Sequence, residues 1–483
     1  MNARFVLITL SITIAVLSLA LFIAVVGGTA SSVSGEAIAI EADTLKRDET
    51  DARLPAYQRT NIRQEEPFSL TETISVYLPV LEYDYVDTSA IRSALMAIYN
   101  HTNGDGWIDN TGWGTDTSYC GWYGVSCGEY GHVQMLDLHE NMLTGTLPHE
   151  IGNLTNLIGL YLGGNHLSSL SPEIGHLTDL LWFDLYGNLL SSLPPEIGNL
   201  AKLQVFVIRD NQLLHLPPEI GKLEALQRLE LSRNQLSSLP PEIGKLTTLE
   251  SFDLTFNQLS SLPPEIGNLT RLKGLYLGGN QLLSLPPEIG NLVNLQTLWL
   301  DGNQLTSLPS EIGNLTSLNL LSIKGNQLSS LQPEIGNLAR CQYLWLENNQ
   351  LISLPAEIGN LESLRELILY SNMLATLPPD IGNLSALEIL YVNDNKLIKL
   401  PPEIGELANL DYLDLGYNYL SGIIPEFLSE LGNLSGLELW GNPDLTCWET
   451  EEARDWALSL SSYYGPSCYE DNILFSTILM TNK

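Results

Sequence analysis

Asparagine returns along this chain on a nearly constant step. From Asn141 it recurs at Asn165, Asn188, Asn211, Asn234, Asn257, Asn280, Asn303, Asn326, Asn349, Asn372, Asn395, Asn418 and Asn442, every 23 residues except for a step of 24 at each end. Around each asparagine the pattern is L-x-x-L-x-L-x-x-N-x-L, followed by x-x-L-P-x-E-I-G-x-L. A clean copy runs from Leu226 through Leu229, Leu231, Asn234 and Leu236 to Leu239, Glu242, Ile243 and Gly244. A unit this short cannot bury its own apolar edge, so fourteen in-phase copies must stack on one another.

The chemistry of one unit predicts its shape. L-x-L alternates at period two and reads as a short strand with its leucines turned inward. The asparagine amide suits a place where the chain leaves the sheet, because it can satisfy backbone groups that would otherwise be buried and unpaired. Pro-Pro-Glu then opens a short helical or 3₁₀ turn: proline fits the first helical position, and glutamate suits the positive end. The expected architecture is an α/β solenoid with a parallel β-sheet on its concave face and short helical or 3₁₀ turns on its convex face. Strand spacing gives an arc roughly 65 Å long.

Residues 131–446 resemble the leucine-rich-repeat superfamily. The middle units are similar to the 23-residue LPPEIGNL subtype of Ras-group and bacterial repeats. The first and thirteenth units, Leu143 to Pro148 and Leu420 to Pro425, resemble the plant extracellular subtype. The resemblance implies a horseshoe that recognises its ligand on the concave face.

A stack needs closed ends. Residues 88–130 read as an N-terminal cap, with a helix over Asp87–Asn100 that places Ile91, Leu95 and Ile98 on one face. The run Cys120-Gly-Trp122-Tyr-Gly124-Val125-Ser-Cys127 resembles the N-terminal cap of plant-type extracellular repeat proteins, which implies a Cys120–Cys127 bridge. Residues 447–470 are similar to a C-terminal cap, with a helix from Glu449 to Leu460 and a Cys447–Cys468 bridge. Cys341 takes a leucine position in the tenth repeat and reads as a buried thiol. Two local disulfides fit an oxidising compartment.

The N-terminus supports the same location. Phe5 to Val26 carries no charge, so residues 1–30 read as either a cleaved signal peptide or a membrane anchor. Residues 31–87 are expected to form a polar, flexible linker, in which the apolar run Ile74–Leu81 packs as a strand or contacts the cap. Residues 471–483 form a tail whose apolar run is too short to span a membrane, and no kinase domain is expected after Lys483. The expected location is secreted or cell-surface, with contact to the membrane only through the N-terminal segment.

Charge narrows the partner. With 22 basic against 56 acidic residues, the net charge is −34, and no clustered lysine or arginine is available to displace counterions from nucleic acid. The sequence contains no phosphate loop, HExxH or metal-spaced cluster. It is therefore expected to be a binding protein, with no catalytic residue, metal or cofactor. His139 and His149 read as exposed variable positions. The acidic row in the turns, Glu242 among them, is expected to serve the turns themselves, the alternatives being calcium or a basic partner. The Asn-Leu-Thr/Ser sequons at Asn153, Asn268, Asn314, Asn383 and Asn433 follow from the consensus.

The column between the second and third leucine of each repeat should point to the concave face. Its first half is mainly acidic and its second half is rich in aromatics, to which neighbouring columns add Tyr343, Tyr370 and Tyr412. Trp299, Tyr343, Trp345, Tyr370, Tyr391 and Tyr412, with Asp414 beside them, form the expected ligand site. Lateral stacking along the sheet is the alternative reading of the same rings. The expected ligand is a protein or peptide, favoured if basic, with a cell-surface glycan or a purely structural spacer role as alternatives.

Overall fold

The computed structural model describes residues 88–128 and 130–468. They lie in the second of two compact units, Tyr83–Lys483. The expectations for residues 1–30, for the linker over 31–87 with its apolar run, and for the tail over 471–483 fall outside the described residues. Among the described residues no helix is long and apolar enough to cross a membrane.

The repeat builds one sheet of sixteen strands among these residues. Val125–Cys127 pairs antiparallel with Val133–Asp137, and every later pair is parallel. The register advances by one repeat per strand: Leu229 lies beside Phe252, which lies beside Leu275, which lies beside Leu298. Each inward side chain therefore lands on its own counterpart. The leucines are buried along the whole length, and full burial of each contributes about 2 kcal/mol. Phe183 and Phe206 replace the middle leucine and stack at 5.4 Å.

The convex side is a file of 3₁₀ turns, such as Pro241–Lys245, with proline at the first turn position and the preceding proline extended. Turns stack closely because of the glycine in Glu-Ile-Gly. A Cβ on Gly244 would lie 2.4 Å from the carbonyl oxygen of Glu265 in the next turn.

The asparagines fill the ladder expected of them. Asn257 Nδ2 donates to the carbonyls of Leu231 and Leu254, both at 3.0 Å, and its Oδ1 accepts from the Leu236 N–H at 3.0 Å. Asn165, Asn188, Asn211, Asn234, Asn280, Asn303, Asn326, Asn349, Asn372, Asn395 and Asn418 are buried likewise. The residue before each asparagine turns with positive φ. Glycine often stands there, as at Gly279 (φ 69), but Phe256 (φ 55) and Tyr417 (φ 51) adopt the same conformation.

The two atypical repeats have their own small sheets. Thr144–Leu147 pairs with His166–Leu170, and Ser421–Ile424 pairs with Asp444–Trp448. The second residue of each first strand is a glycine, Gly145 and Gly422, where φ is 83° and 82°.

The ends close as the stacking argument requires. The helix Thr88–His101 buries Ile91, Ala94, Leu95 and Ile98. Behind it Tyr99, Trp107, Trp113 and Trp122 form a chain of ring contacts between 4.9 and 6.0 Å. At the other end Thr450 caps the helix Glu451–Ser459 by accepting from the Ala453 N–H, and strand Ser462–Tyr464 completes the sheet. This helix is shorter than the span expected from sequence, because Trp448 ends a strand and Leu460 is already extended. The bridges Cys120–Cys127 and Cys447–Cys468 are present. Cys341 is a buried free thiol, pushed up to about 12 by burial.

Candidate binding face

Three columns of side chains emerge from the sheet on the face away from the leucines. In repeats ten to thirteen the first column reads Tyr343, Glu366, Ile389 and Tyr412, and the second reads Trp345, Ile368, Tyr391 and Asp414. The register continues past the strand ends, with Asn348 N–H donating to the Tyr370 carbonyl at 3.0 Å and Ser371 N–H to the Asn393 carbonyl at 3.1 Å. The third column is therefore Glu347, Tyr370, Asn393 and Gly416.

The structure brings the expected aromatics onto one face as neighbouring pairs. Tyr343 meets Trp345 edge-on at 6.4 Å, and Tyr391 meets Tyr412 at 5.4 Å. Trp299 stands two strands before Trp345; Tyr276 lies 6.5 Å from it, and the Lys324 ammonium sits over its ring at 5.6 Å. Trp299, Tyr343, Trp345, Tyr370, Tyr391 and Tyr412 are all partly exposed. They stack laterally and still present ring surface to solvent.

Asp414 departs from expectation. It was expected as an open charge flanking the rings, but it is only 6% exposed, and Glu438 beside it only 8%. Glu438 accepts from the Tyr412 hydroxyl and from the Trp440 indole N–H at 2.7 Å, while Asp414 accepts from the Gly416 N–H at 2.9 Å. Burial raises the Asp414 carboxyl to about 7, and the Glu438 charge adds to that rise.

Of the third column only Tyr370 was expected from the sequence; Glu347 and Asn393 were missed. Glu347 is 6% exposed, and burial raises its carboxyl to about 7. Its Oε2 and the Oδ1 of Asn393 are buried without a hydrogen-bond partner. Burial also raises the Glu366 carboxyl, against which the neighbouring Trp345 indole N–H acts. A periodic sequence signal for Glu347 and Asn393 exists, two positions before each ladder asparagine, but nothing in residue type marks them as buried.

The N-terminal half of the face is acidic, as expected, but it carries its own cations. Arg209 and Arg228 pair with Glu230, and Arg209 and Arg233 with Asp210. Arg209 also lies over the Tyr186 ring at 4.8 Å. His139 and His149 are exposed and pair with Asp137 and Glu150. Among the described residues no group of histidine, cysteine and acid could hold a metal ion.

Comparison with known proteins agrees with this architecture. Family models described as leucine-rich repeat or leucine-rich repeat region match residues 132–154, 201–259, 264–334 and 328–460. A solved leucine-rich-repeat protein of Leptospira interrogans is 42% identical with a TM-score of 0.62, over 68% of this chain and 83% of that one. The solved PEPR1–AtPEP1 structure is 28% identical with a TM-score of 0.61, over 74% of this chain and 55% of that chain. Receptor-like protein kinase BRI1-like 3 of Arabidopsis thaliana is 38% identical over 89 residues, which is 18% of this chain and 8% of the relative. The chain thus spans less than a tenth of that curated relative. The in-register repeats, the asparagine ladder, the capped ends and the family matches agree: this chain belongs to the leucine-rich-repeat proteins.

Proposed function

We propose that this protein is an extracytoplasmic recognition module, with no catalytic activity, that binds a protein or peptide on the concave face of repeats eight to thirteen. The observation that carries this reading is the run of partly exposed aromatic side chains on that face, from Trp299 to Tyr412, beside buried acids. The core slots are already filled by leucine, so these rings are not needed to close the hydrophobic interior. Tyrosine and tryptophan in such a setting are the residues that most often anchor a partner. The solved PEPR1–AtPEP1 structure, of the same fold, supports recognition of a partner by such a solenoid. The two disulfides support an oxidising compartment and hence a secreted or cell-surface location.

Selection of a displayed random-peptide library against the full chain tests the reading. Peptides should be enriched, and their binding should be lost in Trp345→Ala. Enrichment on a glycan array with no peptide captured would replace it with carbohydrate recognition.

A further inference from the structure

We infer that the concave face holds a receiving site for a guanidinium group between Glu347 and Asn393, so that the ligand is an arginine-bearing peptide. This rests on the proposed concave-face recognition and names the chemistry of its ligand. Glu347 and Asn393 stand in one column, on the tenth and twelfth repeats, with Tyr370 between them. Each has a buried side-chain oxygen without a hydrogen-bond partner. Both of these atoms are acceptors, the Trp345 indole nitrogen on the same face being an unpartnered donor, and buried acceptors left unmade cost stability until a donor reaches them.

The surrounding charge is mainly negative, with Lys324 the cation that acts on Glu347. Among the described residues, Glu347, Glu366, Asp414 and Glu438 form no ion pair. Lys324 makes its ion pair with Asp301 at 3.1 Å and lies over the Trp299 ring, and it reaches Glu347 only through its field. The group that fits must therefore donate hydrogen bonds and carry positive charge.

The N-terminal half of the same face shows the arrangement completed from within the chain. There Arg209 approaches Glu230 at 3.5 Å and lies over the ring of Tyr186 at 4.8 Å. A carboxylate, an aromatic ring and a guanidinium thus occupy three successive repeats. Repeats ten and eleven carry a carboxylate and a ring, Glu347 and Tyr370, on neighbouring strands and in the reverse chain order, and no described arginine pairs with that carboxylate. A planar guanidinium also has donors on both sides of its fork. It can serve two acceptors that flank a ring, whereas an ammonium donates from a single point.

The test uses the full chain and fluorescein-labelled heptapeptides of alanine and glycine around one central residue: arginine, citrulline, lysine or glutamate. The arginine peptide should bind at least fivefold more tightly than the lysine peptide and more than tenfold more tightly than the isosteric, neutral citrulline peptide. Glu347→Gln should remove the preference for arginine over citrulline without lowering the melting temperature, and Asn393→Leu should reduce it. Equal binding of arginine and citrulline peptides to the native chain overturns the inference. So does an unchanged preference in both variants, or no binding of any peptide at millimolar concentration. If library-selected peptides are still released by Trp345→Ala in those cases, concave-face recognition stands and only the guanidinium site falls.

Discussion

Asp414 and Glu438 lie opposite each other in register on neighbouring parallel strands, both more than nine-tenths buried. Two carboxylates so placed, with no ion-pair partner among the described residues, are costly when both are charged. Burial raises Asp414 and Glu347 to about 7 and Asp184 to about 6. Each group binds its proton more tightly in the folded chain than in the unfolded one. The resulting stabilisation is complete below the ordinary carboxylate range and is lost as pH rises through 6 to 7. The melting temperature should therefore fall between pH 5 and pH 8, and the fall should be shallower in Asp414→Asn. A melting temperature that holds or rises over that interval contradicts the account.

The asparagine ladder makes a second, local prediction. Asn257 satisfies two carbonyls and one N–H of the buried turn, while Gln258 next to it is exposed. Asn257→Ala should destabilise by about 1–3 kcal/mol through the groups left unpaired. Gln258→Ala should be close to neutral. Urea denaturation of both variants checks this, and equal effects would refute the assigned role of the ladder.

The cysteines give a chemical check on fold and compartment together. Cys120–Cys127 and Cys447–Cys468 are bridged, and Cys341 is fully buried. Thiol titration of unreduced protein should detect nothing in the native state and one thiol after denaturation. Four or five reactive thiols in the native protein would contradict both bridges.

Much of this fold was legible because the repeat over-determines it. Leu229, Asn234 and Ile243 each belong to a column of near-identical residues, so burial could be read from recurrence alone. The cap bridges were legible from Cys120-Gly-Trp122 and from the cysteines that bracket the last helix. The binding face was legible only in part. Trp345 and Tyr391 stood out because aromatic residues are unexpected at outward positions. Asp414 was misread as open, because its burial depends on Tyr412, Trp440 and Gly416 folding around the Asp414–Glu438 pair, a tertiary arrangement that no column records. Glu347 and Asn393 escaped notice for the same reason: an acid and an amide at a variable position look solvated until the neighbouring strands are in place.

The central claim is that the aromatic face binds and does not merely brace the sheet, and Trp345 decides it most directly. Its ring meets Tyr343 at 6.4 Å, and its indole nitrogen is buried with no hydrogen-bond partner among the described residues. The leucine core beneath it is complete without it. The decisive measurement is the affinity of a library-selected peptide for Trp345→Ala, taken beside the melting temperature of the same variant. The account predicts a loss of about 2 kcal/mol or more in binding with little change in melting temperature. Unfolding of the variant, or undiminished binding by it, would make the aromatic row structural and place the ligand elsewhere.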